Sequence, residues 1–174
     1  RGGEAAKHLD LAALGIVADL AILRGDTRYL LQRGLAQLRA TGRVGLRMLF
    51  GAAELQGVSL SEEHIGYVIG PRLNAAGRLA DAAPCVELLT TADRTLAEAT
   101  ARDLERLNAR RKQLTDDVTR GAEAQIAQSQ GGHERSLLED ACLVLAGPYW
   151  PPGVIGIVAS RMVEKYGLPA ILIA

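Results

Sequence analysis

Apolar positions recur at helical spacing through most of the chain, then change period after a polar stretch at residues 128–139. From His8 to Leu23 an apolar run carrying Asp10 and Asp19 predicts a buried helix followed by an apolar turn, with Gly15 breaking the run. The two aspartates lie nine positions apart, about two and a half helical turns, and would not share one face of a continuous helix. Asp26 is expected to N-cap a helix over Thr27–Ala40, with Leu30, Leu31, Leu35 and Leu38 at the 3–4 spacing and Gly42 as its stop. Val44 to Leu55 turns Leu46, Leu49, Phe50 and Ala53 inward. Ser59-x-x-Glu62 fits either a capping box or a polar loop. Gly70-Pro71 is expected to end the helix that follows and to introduce Arg72–Leu79, with a short helix over Pro84–Thr90 after it.

Asp93 is placed to cap the most regular piece, a helix to about Gln128 with Leu104, Leu107, Leu114, Val118 and Ala122 in one stripe. Such a helix is roughly 50 Å long and carries charges of both signs on its other faces, which suits a connection between two lobes. Residues 128–139 have the composition of a linker. Beyond it, Ala141–Ala146 reads as a strand, Gly147–Gly153 as a loop, Val154–Tyr166 as a helix stopped by Gly167, and Ala170–Ala174 as a second strand. That order predicts a parallel β-loop-α-β unit with a right-handed crossover, hence an α/β chain.

Composition narrows this little. The 174 residues hold 20 Lys+Arg against 20 Asp+Glu, 48% hydrophobic residues and 3% aromatic ones. That is enough apolar content for a core in one domain or two small lobes, and it excludes wholesale disorder. Zero net charge removes the strong basic signature of many nucleic-acid binders but leaves room for a local basic site. Cys85 and Cys142 make neither a disulfide framework nor a zinc cluster and fit a reducing cytoplasm. The Leu9–Leu23 run is too short and too charged to span a bilayer, and the first residues are no signal peptide. The chain begins at Arg without a Met and stops inside a strand-like run, so both ends are expected to be cut.

Three segments carry candidate chemistry. At the β-loop-α junction, Gly153 and Gly156 let backbone approach a ligand, and first-turn amides with the helix dipole favour an anion. Ser160 and Arg161 would add a hydroxyl and a guanidinium; alternatively the glycines serve only tight helix–sheet packing. Arg72, Asn74 and Arg78 sit among small residues that leave guanidinium groups accessible to phosphates, or else one arginine caps a helix end and the other pairs with Asp81. Asp19, a carboxylate in an apolar run, suits a hard divalent cation such as Mg²⁺ or Mn²⁺, although one carboxylate is an incomplete site; Asp10 is expected to cap or pair. Tyr149 and Trp150 could stack on a base, with core packing expected for at least one.

In this order, three segments resemble the RecJ-type branch of the DHH phosphoesterases. Leu9–Asp19 resembles its fourth motif, Ile69–Leu79 (Ile-Gly-Pro-Arg-Leu-Asn-Ala-Ala-Gly-Arg-Leu) its signature at the lobe junction, and Trp150–Arg161 the start of its C-terminal domain. The likeness covers essentially the whole chain. It implies residues 1–90 as the end of a DHH-type catalytic lobe, 91–130 as a long interdomain helix and 131–174 as the first part of a second α/β lobe. It further implies a soluble cytoplasmic 5′→3′ exonuclease acting on single-stranded DNA with Mg²⁺ or Mn²⁺, in repair and recombination. Asp19 would be a metal ligand and catalytic residue. Arg72, Asn74 and Arg78 would line the interlobe cleft against the DNA backbone, and Gly153, Gly156, Ser160 and Arg161 would hold a phosphate. Pro151 stands where the family usually has His, and Ala21-Ile22-Leu23 where it usually has a Pro. No Asp-His-His triplet occurs, so the chain is expected to be an inactive piece of the enzyme. A non-catalytic nucleic-acid-binding relative, or a phosphodiesterase of oligonucleotides or cyclic dinucleotides, are the competing expectations.

Overall fold

A computed structural model describes residues 2–131 and 136–174, which form two compact units dividing between Asn108 and Ala109. In the first unit a short helix α1 (Gly2–Ala6) leads into α2 (Leu9–Ala18), which packs along α3 (Gly25–Arg39). Their close approach depends on Gly34, where an added Cβ would lie 2.2 Å from the Leu9 carbonyl oxygen. Helix α4 (Val44–Ala52) follows and packs on α7 (Ala83–Thr90).

Between α4 and α7 the backbone stays helical from Glu62 to Leu79: α5 (Glu62–His64), a π-turn (Ile65–Ile69) and α6 (Gly70–Leu79). Gly70-Pro71 therefore does not end a helix, contrary to the sequence expectation. The π-turn accommodates it, because the Gly70 amide reaches back five residues to the Ile65 carbonyl and Pro71 then occupies the first turn of α6, where an amide is dispensable. The core of this unit gathers Leu38, Leu46, Leu49, Ile65, Ile69 and Leu88, together with Leu104 of α8 (Arg94–Gly131). Burial of each such side chain contributes about 2 kcal/mol.

Several local expectations shift for physical reasons. Gly15 does not interrupt α2; its position faces open space, so the helix tolerates it. Asp26 is not the cap of α3, which starts at Gly25 after an extended Arg24, but it lies in the first turn where the helix dipole favours a carboxylate. Ser61, not Ser59, opens α5: its amide donates to Nδ1 of His64 at 3.2 Å and its hydroxyl lies 2.7 Å from the same nitrogen. Asp93 does cap α8, accepting from the amides of Thr95 at 2.8 Å and Leu96 at 3.2 Å.

The second unit is built on the C-terminal part of α8, which buries Thr115, Val118, Ala122 and Ile126. Thr115 takes the inward place expected of Leu114 and satisfies its hydroxyl on the Arg111 carbonyl at 2.8 Å. Part of the expected linker, residues 132–135, lies outside the described residues; Leu137–Glu139 is a 3-10 turn. Strand β1 (Leu143–Ala146) pairs in parallel with β2 (Ala170–Ile173), Leu143 opposite Ala170 and Ala146 opposite Ile173, and α9 (Pro152–Tyr166) connects them. This is the predicted β-loop-α-β unit. Leu143 and Leu145 point into a core with Val154, Val158 and Met162 of α9. Gly167 ends α9 at φ 69°, the left-handed conformation glycine adopts without strain. Gln125 of α8 closes the other edge of β1, donating to the Ala146 carbonyl at 2.7 Å and accepting from its amide at 3.3 Å.

Candidate functional site

Helix α2 ends in a Schellman motif. The Leu20 amide donates to the Val17 carbonyl at 3.1 Å and the Ala21 amide to the Ile16 carbonyl at 3.0 Å. Asp19 is the C-cap residue, and Leu20 sits at φ 55°, a conformation that costs a non-glycine residue about 1 kcal/mol or more. The Asp19 side chain is exposed and makes no hydrogen bond or ion pair among the described residues. A carboxylate at this end faces the negative pole of the helix, so nothing in α2 itself stabilises it. The donor suits a hard cation, but among the described residues no three His, Cys, Asp or Glu come together to hold a metal.

The segment before Asp19 packs on the start of the Arg72 motif. Val17 Cγ1 lies 3.6 Å from where a Cβ on Gly66 would stand, and Ala18 Cβ 3.7 Å from the same position at Gly70. Any larger residue at Gly70 would also press on the Ile65 carbonyl at 2.9 Å, so the glycine keeps the π-turn and the end of α2 together. The carboxylate-bearing turn and the Gly-Pro-Arg segment, more than 50 residues apart in sequence, thus belong to one local structure.

Within the motif the polar residues separate. The Arg72 side chain, 13% exposed, is committed inward: Nε lies 2.5 Å from Glu105 Oε2 and Nη1 donates to the Val68 carbonyl at 2.8 Å. Asn74 and Arg78 are exposed, while Ala75 and Ala76 are buried. Cys85 lies behind the motif with Sγ 3.5 Å from the Leu73 carbonyl; burial pushes its thiol pKa up, which keeps it protonated and unreactive at neutral pH. Glu105 was not legible as a functional partner. It is one of many charges on α8, and its contact with Arg72 spans 33 positions.

In the second unit Gly156 and Ser160 share an exposed face of α9, one turn apart. A Cβ on Gly156 would meet nothing within 4 Å, so helix–sheet packing does not require this glycine. The Ser160 hydroxyl bonds back to the Gly156 carbonyl at 3.2 Å. Arg161 turns away to α8, with Nη1 3.1 Å from Asp116 Oδ1 and 3.3 Å from Thr119 Oγ1. The first turn of α9 offers fewer amides than expected. Pro151 and Pro152 carry none, and the Val154 amide donates to the Pro151 carbonyl at 3.1 Å. Trp150 packs against Gly147 and Gly121, whereas Tyr149 is 93% exposed. Of the two aromatic residues, Tyr149 is the one available for stacking.

No family model matches the chain. Individual proteins do. It is 38% identical over 165 residues to the single-stranded-DNA-specific exonuclease RecJ of Bacillus subtilis, covering 95% of this chain and 20% of that protein. To the RecJ of Thermus thermophilus it is 39% identical over 168 residues, covering 97% and 23%. To that of Escherichia coli it is 36% identical over 170 residues, covering 97% and 29%. The chain thus spans between a fifth and a third of the length of these relatives. Among solved structures, that of exonuclease RecJ bound to manganese superposes with a TM-score of 0.82 at 38% identity, over 97% of this chain and 40% of that one. RecJ of Thermus thermophilus in complex with Mg²⁺ superposes with a TM-score of 0.76 at 38% identity, over 96% and 25%. The chain is similar along nearly its whole length to one segment of RecJ, in sequence and in fold.

Proposed function

We propose that this chain is a segment of a RecJ-type exonuclease that hydrolyses single-stranded DNA 5′→3′ with Mg²⁺ or Mn²⁺, in the cytoplasm, in DNA repair and recombination. The observation that carries the proposal is Asp19: an exposed carboxylate without a partner among the described residues, at the unfavourable end of a helix, packed beside the Arg72 motif. A helix-end charge of the wrong sign costs about 0.3–1 kcal/mol, which a cation bound at Asp19 offsets. Asp19 contributes one ligand; the others come from parts of the full-length protein beyond this chain. When bound, the divalent ion supplies Lewis-acid activation of the phosphodiester and of the attacking water.

The chain's own residues then hold the strand. Asn74 and Arg78 present polar groups to phosphate oxygens from the exposed face of α6. Arg72 acts through Glu105 and the Val68 carbonyl, fixing the π-turn and hence the direction of α6; it is a positioning residue rather than a phosphate contact. In the second unit Gly156 and Ser160 offer an open face for the 5′ phosphate, while Arg161 is held by Asp116.

The test compares the full-length protein with the 174-residue chain on 5′-labelled single-stranded DNA, duplex DNA and a dinucleotide, with Mn²⁺ and with chelator. Full-length protein is expected to degrade only the single strand, only with metal, and the chain alone to degrade nothing. Turnover by the chain alone, or faster cleavage of the dinucleotide than of the strand, would overturn the reading.

A further inference from the structure

Away from Asp19, the first unit carries a groove whose charge is not balanced. Its widest part, a cavity of about 730 Å³ between the end of α3, α4, the 55–60 loop and the start of α8, is lined by Arg39, Arg47, Arg94, Thr41, Gln56 and Ser59. Apolar side chains fill most of the remaining wall, and among the described residues no carboxylate lines it. The cavity continues along α4 and α8 through a second one of about 310 Å³, which shares Arg47, Gln56 and Arg94 and is also lined by Glu98. That one shares Ala52 and Arg102 with a third of about 670 Å³, which reaches Glu105, the partner of Arg72.

Charges along this path are sorted. At the α8 end the cations are neutralised: Arg102 pairs with Glu98 and Arg106 with Asp103. At the wide end they are not. Arg39 spends its Nε on the Leu60 carbonyl at 2.8 Å, a neutral acceptor, and the exposed Arg47 and Arg94 guanidinium groups make no ion pair or hydrogen bond among the described residues. Uncompensated like charges in a concave, low-dielectric wall focus a positive potential and concentrate an anion there. Every cation of the path is arginine, the side chain whose planar fork grips phosphate by two parallel bonds. Arg39 is the last residue of α3, a helix about 22 Å long whose first turn follows the Asp19 loop, so this is a separate site and not the surroundings of Asp19.

We infer that this arginine-lined groove is a second binding site for the phosphodiester backbone of single-stranded DNA, holding the strand away from the reacting end. It rests on the exonuclease reading for the identity of the anion. A strand long enough to reach the groove gains affinity from it; a very short one does not.

The experiment uses the full-length protein and its R47Q/R94Q variant, both substitutions being at exposed side chains, with the thermal midpoint as a folding check. Affinities for oligo(dT) of about 30 nucleotides and of about 4 nucleotides are measured in chelator over a range of salt. The variant is expected to bind the long strand on the order of tenfold more weakly at low salt, with a salt slope shallower by about 1.4, and to bind the short one as wild type does. An unchanged slope on the long strand overturns the inference, as does equal weakening on both lengths. So does a variant that loses a poly-glutamate peptide but keeps DNA. These binding outcomes are read independently of nuclease activity. Absence of hydrolysis by the wild-type protein when it is assayed separately with Mn²⁺ would instead refute the exonuclease reading.

Discussion

Asp10 and Asp19 stand near opposite ends of α2, and the fold treats the same side chain in opposite ways. Asp10 is 3% exposed, with Oδ2 2.6 Å from Arg43 Nε and Oδ1 accepting from the Leu11 amide at 2.9 Å. Arg43 in turn lies 2.9 Å from Nδ1 of His8 through Nη2, and Gln37 of α3 accepts from the Asp10 amide at 3.2 Å. Asp19 is exposed, sits against the helix dipole and is followed by a strained Leu20. A buried charge is tolerated only with its partner in place, so Asp10 belongs to the scaffold. A charge without a partner among the described residues, at an unfavourable position beside local strain, is the one we propose for function. Neither role follows from residue type.

That contrast can be broken from either end. The largest effect is expected for Asp19→Asn in the full-length protein, whose rate on single-stranded DNA should fall on the order of a thousandfold. Its denaturation midpoint should hold or rise, because an unfavourable helix-end charge is gone. A large loss of stability with full activity would reverse the assignment. Asp10→Ala should do the converse, costing about 3 kcal/mol in urea denaturation because Arg43 is left without its anion. Mn²⁺ affinity at temperatures where the variant stays folded should be unchanged; a matching loss of metal binding would make Asp10 part of the site. The smallest effect belongs to Leu20→Gly, expected to stabilise by about 1 kcal/mol through relief of the left-handed backbone, since the 88% exposed side chain has no packing to lose. A lower melting temperature would show instead that Leu20 is packed in the full-length protein.

Much of the local architecture was legible in the residues. Asp93 announced the start of α8, Gly167 the end of α9, and the change of period after the long helix the parallel pair of strands. The three motif segments, and the similarity they carried, were equally plain. Turn chemistry was harder to read. Ser59 and Ser61 are two positions apart, and it is the second that opens α5, through its hydrogen bonds to His64. Gly70-Pro71 looked like a stop because a proline removes one α-helical hydrogen bond; a π-turn avoids that loss, and no residue pattern signals it.

The sequence by itself determined most of the elements, the caps at Asp93 and Gly167, and which side chains were chemically able to act, because these depend on neighbours within a turn or two. Only the tertiary structure decided which of them are available. Arg72 is drawn to Glu105 across 33 positions and Arg161 to Asp116 across 45, while Arg47 and Arg94 converge on one cavity that no carboxylate lines among the described residues. Charge pairing is settled by distance in space and by desolvation, and neither is written in the order of residues along a chain.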